Sequence, residues 1–191
     1  GLSIHLLGEF RLALRGQPLL LPPSRKTRAL LAYLAAAPGP HARERLCDLL
    51  WEGPDDPRAA LRWSLAKLRP LVDGPGFVRL VADREHVAFA PQGAAIDLLR
   101  LPVARIADIA AAPIAALEAA AGLFGGAFLA GLDLPACFRF HEWCMAERER
   151  WGTLRLAILD SLVDRLRDRP EAALGHARAR IGIDPLDEAA H

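Results

Sequence analysis

Apolar positions along this chain hold one period for a stretch and then switch, and the switches mark out its elements. Leu61, Leu65, Leu68 and Val72 recur at helical spacing and give one narrow buried stripe. Asp56 and Pro57 start that helix well, a carboxylate as N-cap and a proline at the first helical position. Projected at about 100° per residue, Trp63, Lys67 and Ala59 lie across from the stripe, with Arg58, Arg62 and Arg69 beside it. Two helices are predicted before it. Ser24 caps one that carries Leu30, Leu31 and Leu34 and stops at Pro38-Gly39-Pro40, and a second runs from about His41 to Trp51 and stops at Gly53-Pro54.

On either side the period shortens to two. Phe77 to Val81 and Val87 to Ala90 flank the polar turn Ala82-Asp-Arg-Glu-His86, a β-hairpin pattern. Leu2 to Phe10 and Arg11 to Leu21 alternate or run apolar around Gly16-Gln17-Pro18 and predict a small antiparallel sheet. Strands, then three helices, then a hairpin is the order of a winged helix, whose third helix enters a DNA groove.

Beyond Pro91 the pattern becomes helical throughout. Ile96 to Leu101 predicts a short closing segment, and helices follow over about Pro113 to Phe124, after Pro135, and from Pro170 to near Gly182. Leu154, Ile158, Leu162 and Leu166 form the band of the long one. Asp184 and Pro185 open a further helix that meets His191 after barely two turns, too short to stand alone in water. The expectation is therefore a truncated piece of a longer protein. Paired antiparallel helices of this spacing suggest tetratricopeptide-type packing.

The matching segments extend through both halves. In the first they are Leu6-Leu-Gly-Glu-Phe10, Arg28-Ala-Leu-Leu-Ala-Tyr-Leu34, Arg43 through Trp51, Leu65-Ala-Lys-Leu-Arg69 and Ile96-Asp97. In the second they are Phe128-Leu-Ala-Gly-Leu132, Phe140-His-Glu-Trp143, Arg148-Glu-Arg150 and Asp184 through His191. On these residues the first half resembles the winged helix of OmpR/PhoB-type response regulators, in the version found in the Streptomyces antibiotic regulatory proteins (SARP). The second half resembles the bacterial transcriptional activator domain (BTAD) of that family. Ala42 stands where relatives often have a capping Ser, and Gly126-Ala127 where Gly-Glu or Gly-Asp is common.

The resemblance implies an α+β winged helix-turn-helix domain over 1–97, followed by an all-α tetratricopeptide-like domain over 98–191. It implies sequence-specific binding to double-stranded DNA, recruitment of RNA polymerase, and pairing as a homodimer on direct repeats. It also makes the loop Glu52-Gly-Pro-Asp-Asp56 a polymerase-facing element. Together with the residue pattern it sets the expected contacts. Arg62, Trp63 and Lys67 project into the major groove, and Arg58 holds phosphate near the helix start. Arg79 and Arg84 on the hairpin reach backbone or minor groove. Arg25, Lys26 and Arg28, at the positive end of the first helix, bind phosphate through side chains and free amides.

Charge changes the picture only when divided. The chain carries +1 overall, but residues 1–90 hold 13 Lys/Arg against 9 Asp/Glu, and residues 91–191 hold 11 against 14. A basic reader joined to an acidic, protein-contacting half fits that split. No stretch is apolar for the ~20 residues of a membrane span, and no secretory leader is recognisable. Three cysteines, all placed as core, fit the reducing cytoplasm.

Candidate chemistry is thin, and the chain is expected not to be an enzyme and to need no cofactor. Ser64-Leu-Ala-Lys67 has Ser-x-x-Lys spacing, yet Ser64 falls two turns into a helix and neither partner motif of that chemistry occurs. Cys137, His141 and Cys144 share a helix face, three ligands where a structural zinc site needs four; they read as core. Phe140, Trp143 and Trp151 read as core or as a seam between the domains rather than a ligand cage. Arg148-Glu-Arg150 is either a solvated face or a clamp to the winged helix or to a partner. The competing reading is a protein-docking module that regulates a sensor, ATPase or cyclase outside this chain. A cationic rather than apolar face opposite Leu61, Leu65 and Leu68 tells against it.

Overall fold

In the computed structural model, which describes residues 1–53 and 56–183, a four-stranded sheet opens the chain. Strands β1 (Leu2–His5), β2 (Arg11–Leu14) and β3 (Gln17–Pro18) form an antiparallel meander. Arg15 and Gly16, both at positive φ (53° and 82°), make the two-residue turn between β2 and β3, the geometry that matches strand twist.

Helices α1 (Arg25–Ala36), α2 (Arg43–Leu50) and α3 (Pro57–Val72) follow. The Ser24 hydroxyl accepts the Thr27 amide at 3.3 Å and starts α1, and Asp56 accepts the Ala59 amide at 2.9 Å and starts α3. Helix α2 has no such cap at Ala42. It starts later than its apolar pattern suggested, because His41–Ala42 are a strand, β4. That strand pairs with β6 (His86–Phe89), which pairs in turn with β5 (Leu80–Ala82), so the wing is three-stranded rather than a bare hairpin.

The segment after the wing returns to the first sheet. Strand β7 (Ala95–Ile96) lies parallel to β1, with Ile4 opposite Ile96. Asp97, buried, then accepts the amides of Leu6 and Leu7 on one oxygen at 2.7 and 2.8 Å. A closing segment was legible in the sequence; its parallel pairing was not.

The second half is helical, with α4 (Ile114–Leu123) and α6 (Pro170–Ile183) packed on the long α5 (Phe138–Arg165). The 28 residues of α5 span about 42 Å. The segment Asp184–His191, where a further helix was expected, lies outside the described residues, as does Pro54-Asp55 of the α2–α3 loop.

One apolar core runs through both halves, from Leu2 and Ile4 through Leu30, Leu46 and Leu61 to Phe128, Phe140 and Leu162. The main chain crosses between the halves as well. Gly125 donates to Leu7, Leu129 to Leu6 and Ala130 to Gly8, at 2.7, 2.9 and 2.9 Å. Gly8 permits this approach. At φ 142° it sits where an L side chain is strained, and a Cβ there would stand 3.1 Å from the Gly125 carbonyl carbon.

Candidate nucleic-acid interface

Helix α3 is held by its inner face. Leu61, Leu65, Leu68 and Val72 are buried, and so is Ser64, whose hydroxyl lies 2.9 Å from that of Thr27 on α1. The Ser-x-x-Lys pair is thereby split across the helix, with Ser64 inside and Lys67 outside. Arg62, Ala66, Lys67 and Trp63 face solvent. Trp63 is 50% exposed, and the Lys67 ammonium sits 5.5 Å from its ring centroid, within the range of a cation–π contact.

The wing tip is ordered by one carboxylate. Asp83 accepts the amides of Glu85 and His86, both at 2.7 Å. These bonds favour its charged form and lower its pKa from the ordinary carboxylate value. Arg43, at the start of α2, donates its main-chain amide to the Glu85 carbonyl and its Nε to the Asp83 carbonyl, each at 2.8 Å, tying wing to helix.

Between the wing tip and the first turns of α2 and α3 runs a groove of about 560 Å³. Arg43, Arg58, Arg62 and Arg84 line it together with His86, against the two carboxylates Glu44 and Glu85. Arg58 meets Glu44 at 2.8 Å with both side chains largely in water, a pair that is weak and easily exchanged. The structure thus brings Arg58, Arg62 and Arg84 to one groove, with Trp63 and Lys67 on the exposed side of the same α3 helix. Arg43 and His86 belong to the groove as well. Sequence reasoning missed them because β4, which carries the chain into α2 beside the wing, is only two residues long.

The other expected contacts lie elsewhere. Arg79 is a correction: it is 7% exposed and its guanidinium donates to the carbonyls of Val72, Pro91 and Gln92 at 2.6, 2.9 and 3.3 Å. It ties the end of α3 to the segment after the wing and presents no charge to a ligand. Arg25 donates to the Gly131 carbonyl at 2.7 Å, and Arg28 to the Pro22 carbonyl at 2.5 Å. Lys26 lies close enough to Cys137 to favour its thiolate. Arg25 and Lys26 therefore lie against the second half of the chain, Arg28 is tied within the first, and none of the three lines the α3–wing groove.

Burial accounts for the cysteines. It pushes the thiols of Cys47, Cys137 and Cys144 up from their ordinary value, and the Cys137 thiol donates to the Leu50 carbonyl at 3.4 Å. Arg148 is not a solvated side chain, and the bonds it makes lie within the second half and not onto the winged helix. The guanidinium donates to the carbonyls of Phe128 and Leu129, both at 2.9 Å, and to Asp133 at 2.8 Å.

Comparison with known proteins adds what geometry alone does not. The family model described as "Bacterial transcriptional activator domain" matches residues 102–191. The match takes in a little under half of the chain. A winged helix stands ahead of the region that this model matches. A solved structure of Mycobacterium tuberculosis EmbR, in complex with a low affinity phosphopeptide, superposes with a TM-score of 0.64 at 22% identity. The match covers 98% of this chain and 60% of that one, so the chain spans well under two thirds of that neighbour's length. No curated protein sequence matches the chain. Among the described residues no helix is long and apolar enough to cross a membrane.

Proposed function

We propose that this chain binds double-stranded DNA in a sequence-specific manner and acts as part of a cytoplasmic transcriptional activator. Helix α3 enters the major groove, with Arg62, Trp63 and Lys67 toward the bases. Arg58 and Arg84 meet phosphates on either side, and Arg43 holds the wing at the correct height. One observation carries this reading: four arginines converge on the groove between α3 and the wing, beside an exposed indole and ammonium on the same helix. A helix of this kind, seated on a leucine stripe, presents charge where a duplex presents phosphate.

In this reading the helical half, residues 98–191, supplies contacts to RNA polymerase, and two copies pair on repeated half-sites. No catalytic step is assigned to it. Arg25, Lys26 and Arg28 are left out of the DNA contact set, because Arg25 is bonded to Gly131 of the second half, Lys26 lies near Cys137 and Arg28 is bonded to Pro22.

The test is fluorescence anisotropy with a selected duplex and a scrambled one, from about 50 to 200 mM salt. The expected result is tighter binding to the selected duplex and a steep loss of affinity with salt. Equal, salt-insensitive affinities would overturn the proposal and favour the docking-module reading, to which the exposed Trp63 is the one feature that lends itself.

A further inference from the structure

The chain has four tryptophans, and three of them are used by the fold. Trp151 is buried and donates its indole N–H to Glu147 at 2.7 Å, while Trp51 and Trp143 pack against the core. Trp63 is the exception, with half of its surface in water at the middle of the outward face of α3. Its neighbours one turn away are Ala59 and Ala60 on one side and Ala66 and Lys67 on the other. Three alanines leave the ring uncovered. Lys67, whose ammonium stands 5.5 Å from the ring centroid, is the one long side chain among the four.

The ring is also fixed in direction. Leu61, Leu65, Leu68 and Val72 pin the inner face of α3, and Ser64, the residue after Trp63, shares a 2.9 Å hydrogen bond with Thr27. The helix is thereby kept from rolling to bury the indole. An apolar body turned to water costs free energy in proportion to its exposed area. On a helix that enters a major groove it has a specific counterpart. Base edges there present hydrogen-bond donors and acceptors, and the apolar group among them is the C5-methyl of thymine.

We propose that Trp63 reads a thymine by its C5-methyl group. The inference rests on the DNA reading of the α3–wing groove and names what one side chain there recognises. The indole lies against the methyl, and the small Ala59, Ala60 and Ala66 let the helix come close to the base edges. Lys67 makes the next contact, its ammonium donating to O6 and N7 of a guanine. One helical turn rises about 5.4 Å and base pairs stack about 3.4 Å apart, so the two contacts fall about one to two base pairs from each other. Arg58 and Arg84, on phosphates at either flank, add affinity without this discrimination.

The test uses the whole chain and a duplex that it selects from a random library. Each thymine is replaced in turn by deoxyuridine, which loses only the C5-methyl and keeps base pairing, and affinity is read by anisotropy. One position in each half-site should lose about three- to sixfold with the wild type, the worth of a single buried methyl group. Trp63→Ala should bind the thymine and uracil duplexes equally at that position, whereas Arg84→Ala should keep the full difference. Both side chains are exposed, and an unchanged melting curve shows that each variant is folded. Replacing a guanine within about two base pairs of that thymine by 7-deazaguanine should weaken the wild type and leave Lys67→Met unaffected. A wild type that binds no duplex would overturn the DNA reading and this inference together. A wild type that binds its selected duplex but shows no uracil-sensitive position, or the same loss in Trp63→Ala, would overturn this inference alone. A 7-deazaguanine loss that persists in Lys67→Met would remove the guanine contact from it.

Discussion

The Ser64 hydroxyl lies 2.9 Å from that of Thr27, both fully enclosed between α3 and α1. It is a polar link inside an otherwise leucine-lined contact, and it sets how α3 is rotated on its seat. Ser64→Ala leaves the Thr27 hydroxyl without this partner and is expected to cost about 1–3 kcal/mol. Adding Thr27→Val should recover much of that loss, because removing both polar partners is nearly neutral. Urea denaturation of the two single variants and the double variant measures the coupling.

Asp97 is expected to matter more for folding than any other carboxylate described above. It takes two main-chain amides on one oxygen in a buried site. Asp97→Ala strands both and should cost about 3 kcal/mol, and Asp97→Asn less, since an amide oxygen still accepts. Shifts in denaturation midpoint report the difference.

Arg79 and Arg84 occupy the same wing and should behave in opposite ways. Arg79→Ala removes bonds to three carbonyls and should destabilise the chain by about 2–3 kcal/mol. Arg84→Ala, at the exposed tip, should leave stability within about 0.5 kcal/mol. It should instead reduce the salt slope of DNA binding by about 1. Thermal melts and anisotropy titrations on both variants separate a structural arginine from a phosphate contact.

Lys67→Ala should weaken binding to a selected duplex by about 1–3 kcal/mol, with little effect on a scrambled one. Trp63→Ala should do the same and also relax the sequence selected at one position. Selection from a random duplex library with each variant is the measurement. Identical selected sequences from wild type and both variants would take this face out of sequence reading.

The wing tip should loosen in acid. Asp83 has its pKa lowered by the His86 and Glu85 amides, so its contribution is fully present above the ordinary carboxylate pKa of about 3.9 and is lost as pH falls through the lowered value. The amide proton shifts of Glu85 and His86 should move together in that window.

What the sequence made legible follows from period and caps. The stripe Leu61 to Val72, the caps Ser24 and Asp56, and the break at Pro38-Gly39-Pro40 each act within a few residues, so pattern reading finds them. The two-residue strands β4 and β7 carry no period, and only tertiary pairing creates them. Arg79 misled for a related reason. An arginine beside exposed Val78 and Val81 looks solvated, and nothing local reveals that three carbonyls from two distant segments converge on it. The groove was half legible: its α3 residues follow from helical projection, while Arg43 and His86 reach it only through β4.

The crossing of Leu6, Leu7 and Gly8 with Gly125, Leu129 and Ala130 has a consequence for how the chain is made. The opening strand leaves the ribosome first, but its outer partners are synthesised more than a hundred residues later. Until then the carbonyls of Leu6, Leu7 and Gly8 meet only water or the wrong neighbours. Nascent chains halted before residue 125 should therefore be protease-sensitive from their first residues onward, and protection should arrive at both ends together.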